Sequence, residues 1–156
     1  MKVSWLLINI LFPMWLFWLL PTIAWLIILP ANFAVDSLVL GLAMKWQHME
    51  NKMIVWKQSI LKIWLVGFIS DLLGAVLILA FMMLIDSVGL PWDTFHFPGT
   101  TLISIPGVVL AGVLIYYLNK HCSFTKCGLD AVQIHKLSLA LAVFTAPYAM
   151  LIPLYG

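Results

Sequence analysis

The sequence predicts an all-α integral membrane protein: a bundle of five transmembrane helices, with four as the alternative count, and one cytoplasmic interfacial amphipathic helix. Three observations predict it. Of 156 residues, 64% are hydrophobic and 9% charged, against about 25% charged in an ordinary globular domain. The apolar residues run in segments of membrane-crossing length with no sustained period of two, and an isolated strand in lipid would leave its backbone unpaired. The cationic residues, eight in all, are lysines gathered in three stretches: Lys2; Lys45, Lys52, Lys57 and Lys62; Lys120, Lys126 and Lys136.

Residues 3–20 form the expected first span, crossing outward, and the chain turns at Pro21 and Thr22. Residues 23–44 cross back through a helix disturbed at Pro30. Because Val3 to Met44 is almost continuously apolar, one long span also fits this region, which gives the four-span count. Five spans starting inside put every lysine on the cytoplasmic side, whereas four strand Lys2 outside. No small-residue cleavage site follows Leu19 and Leu20, so the N-terminal run is read as a retained anchor.

Residues 45–62 place Trp46, Met49, Met53, Trp56 and Ile60 at steps of three and four, with Lys45, Glu50, Lys52 and Lys57 largely between them. That pattern predicts an amphipathic helix lying on the anionic inner leaflet. The plainer alternative is that it continues the neighbouring spans out of the membrane. Apolar runs then predict spans at 63–85, 101–118 and 137–154. Tryptophans prefer the headgroup level; five spans put Trp5, Trp46, Trp56 and Trp64 near the inner interface and Trp15, Trp18, Trp25 and Trp92 towards the outer one. Residues 1–156 are read as a single transmembrane domain in the cytoplasmic membrane of a prokaryote, with the N-terminus and lysine-bearing loops inside.

The net charge of +2 is an orientation signal rather than a nucleic-acid footprint. Cys122 and Cys127 share a lysine-bearing loop expected in the reducing cytosol, where a structural disulfide does not form. There is no G-x-S-x-G elbow, Walker loop, H-E-x-x-H or dinucleotide fingerprint. Without arginine, the bidentate forks that grip phosphate or carboxylate substrates are missing.

An ionisable residue inside a span costs roughly 2.5–3.5 kcal/mol on insertion scales and is a functional candidate by default. Asp36 lies nine residues before Lys45 and Asp71 nine residues after Lys62, so on antiparallel helices both reach ~13 Å from the inner lysine level. Thr145 is nine residues after Lys136, Ala111 nine before Lys120 and beside Gly112, and Asn9 seven beyond Lys2. Two carboxylates at one level do not both stay ionised without a counter-charge; the pair shares a proton or binds a cation. Asn32, Ser37, Ser70 and Thr145 supply further oxygens suited to a hard cation. Pro30 and Pro147 free carbonyls near Leu26 and Val143, and broken helices of this kind recur at transporter midplanes.

Two weaker constellations remain. Asp93 and His96, three apart in the expected outer loop, are candidate metal ligands or a proton entry point, and an ordinary loop with interfacial aromatics is the simpler account. His121, Cys122, Cys127 and His135 offer zinc-type ligands but lack the tight CxxC knuckle.

The expected function is therefore cation or proton translocation through the Asp36–Asp71 pair, with a bound monovalent or divalent cation as the ligand those oxygens suit. The expected partners are the lipid bilayer and either further copies of the chain or a partner membrane subunit, since one copy encloses little volume. A non-catalytic subunit or assembly factor is the second reading. A small intramembrane enzyme acting on a lipid-like substrate is the third, and no recognisable constellation supports it.

Overall fold

In the computed structural model, which describes residues 25–89 and 96–152, every regular element is helical. Helix α1 spans Trp25–Trp46, α2 Lys52–Val88, α3 Gly99–Leu118 and α4 Ala131–Phe144. A π-helical turn, Asn119–Ser123, extends α3, and a 3-10 turn, Tyr148–Leu151, follows α4. Among the described residues, four helical segments are long and apolar enough to cross a membrane. The expected span at 3–20 lies outside the described residues.

Helix α1 carries Pro30 inside it, and because proline has no N–H the Leu26 carbonyl lacks its usual partner four residues on. It stops in a Schellman arrangement: Met49 N donates to Met44 O at 3.2 Å and His48 N to Lys45 O at 3.1 Å. His48 takes the left-handed conformation that this motif requires, with φ of 51°. Met44 and Met49 are both buried, the apolar pair that accompanies such a stop. Lys45 in the last turn faces the negative end of the helix dipole.

The expected separate helix over 45–62 does not occur; its residues divide between the end of α1, a turn, and the first three turns of α2. Nothing from Lys52 to Val66 is glycine or proline, so the helix that begins at Lys52 runs on without a break. Its 37 residues at ~1.5 Å each give ~55 Å, well beyond a ~30 Å hydrocarbon core. The segment is amphipathic, but Val55, Ser59, Ile60 and Ile63 face protein and are buried. Trp46 and Met53, assigned above to the lipid-facing stripe, are 70% and 65% exposed, while Met49 and Ile60 are in the core. At its far end α2 stops at Gly89, in the left-handed conformation with its N–H on Asp86 O.

The expected span at 137–154 begins earlier and ends sooner. Asp130 and Gln133 form a reciprocal capping box, with Gln133 N on Asp130 Oδ1 at 2.7 Å and Asp130 N on Gln133 Oε1 at 3.2 Å, so α4 starts at Ala131. The helix ends at Phe144, before Pro147. The carbonyl expected to be freed near Val143 is taken by Tyr148, whose hydroxyl donates to it at 2.7 Å. Near Pro30, Trp64 Nε1 donates to Leu29 O at 3.1 Å.

Each helix packs on its chain neighbours, and α4 closes back on α1. The tightest crossing is between α2 and α3, where a Cβ at Gly74 would stand 2.7 Å from Gly107 O; the two backbones touch because neither residue has a side chain. The apolar interior falls into two clusters. One, towards the lysine end, joins Leu40, Met44, Val55, Ile63, Ile115, Phe124 and Leu141. The other joins Ala75, Ile78, Ile103, Val108 and Met150.

Candidate functional site

Along α2 the first apolar cluster ends at Ile63 and the second begins at Ala75; Ser70 and Asp71 lie between them. Along the α4 segment the corresponding limits are Leu141 and Met150, and Thr145 lies between. On α1, Asp36 precedes Val39, where the first cluster starts. The polar residues thus occupy the seam between two apolar layers. Asp36 is 5% exposed and Asp71 3%.

The carboxyl group of Asp36 packs on the bare backbone of α2. A Cβ at Gly67 would stand 3.5 Å from Asp36 Oδ2, and Gly67 is one helical turn before Asp71 on the same helix face. The two carboxyl groups lie within electrostatic reach of each other. Thr145 approaches Asp36 from the end of α4 with its hydroxyl. That hydroxyl donates its single hydrogen to Leu141 O at 2.8 Å, so only its lone pairs are left for a further partner. Asp71 Oδ1 is buried with no hydrogen-bond partner among the described residues. Neither α1 nor α2 carries a lysine between Lys45 or Lys62 and these aspartates.

The remaining predicted oxygens differ in what they do. Ser70 Oγ donates to Val66 O at 2.7 Å, within its own helix, which leaves it free to accept but not to donate elsewhere. Ser37 Oγ is buried without a partner among the described residues. Asn32 is half-buried one turn before Asp36. Ala111 and Gly112 serve helix packing: Ala111 Cβ faces Gly74 and Gly112 faces Ala142 and Ala146.

Asp93 lies outside the described residues, and His96 is exposed at the start of the segment leading into α3. No group of three or more His, Cys, Asp or Glu side chains is placed to hold a metal among the described residues. Cys122 is exposed and Cys127 half-buried, both as free thiols. Burial pushes the Cys127 thiol up from its ordinary range, against the opposing pull of the Lys62 charge. His135 instead pairs with Tyr116, Nδ1 to hydroxyl, at 2.8 Å.

Sequence reasoning missed Gly67 as a member of the site. Its only signal was position, four residues before an intramembrane aspartate, with the absence of a side chain leaving room for the facing carboxyl. It also missed a buried polar turn at the lysine end, where Ser123 Oγ donates to Asn119 Oδ1 at 2.6 Å and Asn119 Nδ2 has no partner among the described residues. No protein-family model, no curated protein and no solved structure matches the chain.

Proposed function

We propose that the chain moves a proton or a small cation across a membrane through the Asp36–Asp71 pair. One observation carries the reading: two carboxyl groups, both nearly fully buried, lie between apolar layers, and one oxygen, Asp71 Oδ1, has no partner among the described residues. Burying a carboxyl that only fastens helices together favours satisfying each oxygen, because an orphaned buried acceptor costs ~1–3 kcal/mol. A group that must take up and release a proton or an ion keeps a vacant coordination position instead. Thr145, set at the break between α4 and the 3-10 turn, supports the same reading, since its hydroxyl lies beside Asp36.

The reading includes the finer topology: five spans with the first at 3–20, N-terminus and lysines in the cytoplasm, Asn32, Ser37 and Ser70 as supporting oxygens, and a homo-oligomer or partner subunit to complete the path. The test is flux in proteoliposomes for the wild type and for Asp36→Asn with Asp71→Asn. The amide keeps the volume and hydrogen-bonding capacity of the carboxyl but cannot ionise, so flux is expected to vanish while the helical content and elution volume in detergent stay unchanged. Undiminished flux in a folded double variant would sink the assignment and favour the role of a non-catalytic subunit.

A further inference from the structure

A groove of about 390 Å³ runs along the outside of the bundle between α3 and α4. Its walls are apolar, formed by Val109, Gly112 and Val113 on α3 and Leu139, Val143 and Ala146 on the α4 side. Gly112 sets its depth, because a Cβ there would meet nothing closer than Ala142 O at 3.7 Å. Tyr148 stands at one end and Tyr116 with Tyr117 at the other. From Val108 to Tyr117 the groove follows nine helical steps, or ~13 Å, close to half of the ~30 Å hydrocarbon thickness. That is the depth of one leaflet.

The Tyr116 end is basic and rich in donors. Lys120 Nζ donates to Tyr116 Oη at 3.5 Å and stands 5.6 Å from the ring centroid. The tyrosine hydroxyl meets His135 Nδ1 at 2.8 Å. When that hydroxyl donates to Nδ1, the hydrogen of the neutral imidazole sits on Nε2 and is free for another acceptor. Lys120 keeps two further hydrogens, and exposed Lys136 follows His135. These groups come from two helices, α4 and the extended α3, and frame the mouth of the groove they share.

We infer that this groove binds one anionic phospholipid, an acyl chain lying between α3 and α4 and the headgroup phosphate held by Lys120 and His135 in the setting that Tyr116 provides. Charge and length both select this occupant. A neutral lipid fills the apolar part but leaves the cationic mouth without an acceptor, and an apolar helix of a partner protein offers no phosphate to it. A bare anion meets the mouth but gains nothing from the groove. The inference rests on the membrane setting and not on the carboxylate pair, so the two stand or fall separately.

The test is native mass spectrometry of the full chain released from detergent, titrated with phosphatidylglycerol, phosphatidylcholine of the same acyl chains, and glycerol phosphate. Wild type is expected to retain phosphatidylglycerol at about a tenfold lower concentration than phosphatidylcholine. Lys120→Gln with His135→Gln should bring the two lipids to about equal retention, and Gly112→Leu, which fills the groove, should weaken both. If Gly112→Leu fails to fold, the double variant at surface positions still decides. Equal retention of both lipids by wild type, a preference that survives the double variant, competition by glycerol phosphate as strong as by the lipid, or occupation of the groove by a second copy of the chain would each overturn the inference.

Discussion

Replacing Gly107 by alanine tests how α2 and α3 are held together beside the aspartates. A Cβ at Gly107 would stand 2.6 Å from Gly74 O and 2.5 Å from Ile78 Cγ1. The isoleucine can turn away, but the carbonyl belongs to a helix backbone and cannot. Restoring ordinary contact, from 2.6 Å to about 3.4 Å, requires the helices to part by ~0.8 Å. A gap of that size forfeits roughly a quarter to a half of the dispersion attraction between facing atoms, and overpacking of this kind costs ~1–3 kcal/mol. Alanine in a helix interior recovers ~0.5–1 kcal/mol relative to glycine, so the expected net loss is ~0–2.5 kcal/mol, centred on about 1 kcal/mol. Gly41 on α1 is the control, since a Cβ there meets nothing within 4 Å, and Gly41→Ala is expected to gain ~0.5–1 kcal/mol. Thermal unfolding in one detergent should rank Gly41→Ala above wild type and Gly107→Ala below it. A Gly107→Ala protein that melts at or above wild type would refute the packing argument.

Two further substitutions or treatments address other parts of the chain. His48→Gly removes a side chain from a left-handed position, with φ of 51°, and should raise the unfolding free energy by ~0.5–1 kcal/mol, read as a higher melting temperature; a lower one would mean that the imidazole has a role beyond the turn. Because burial raises the Cys127 thiol while Cys122 is exposed, less of Cys127 is thiolate at a given pH. Maleimide should therefore modify Cys122 first near neutral pH, and the lag of Cys127 should shrink as pH rises; mass mapping of timed samples checks both points.

What the residue pattern revealed, and what it hid, follows from the range of the forces involved. The apolar runs behind α1, α2 and α3 are local properties, and they mark these helices directly. Counting inward from Lys45 and Lys62 is local too, and it puts Asp36 and Asp71 at one depth; in the structure their carboxyl groups lie within electrostatic reach. The fate of residues 52–62 was not legible, because an amphipathic stripe looks alike whether it meets a lipid surface or a protein groove. The core takes Val55 and Ser59, which the stripe left out, together with its members Met49 and Ile60, and leaves Met53 exposed. The start of α4 was hidden because His135 and Lys136 interrupt the hydropathy, although Asp130 and Gln133 carried a capping signal three residues apart. Gly67, Gly74 and Gly107 read alike in the sequence, and only the approach of a neighbouring helix separates a carboxyl-facing glycine from a packing one.

The central proposal is that Asp36 and Asp71 hold a transported proton or cation, and melting temperature in detergent across Na⁺, K⁺, Mg²⁺, Ca²⁺ and pH tests it most directly. A ligand that binds only the folded chain stabilises it by mass action, ~2.7 kcal/mol at a hundred times its dissociation constant. The account predicts that one of these cations, or acid, raises the melting temperature of the wild type and that Asp36→Asn with Asp71→Asn abolishes the rise. A wild-type melting temperature that stays flat across all of them, or a rise that the double variant keeps, would contradict it.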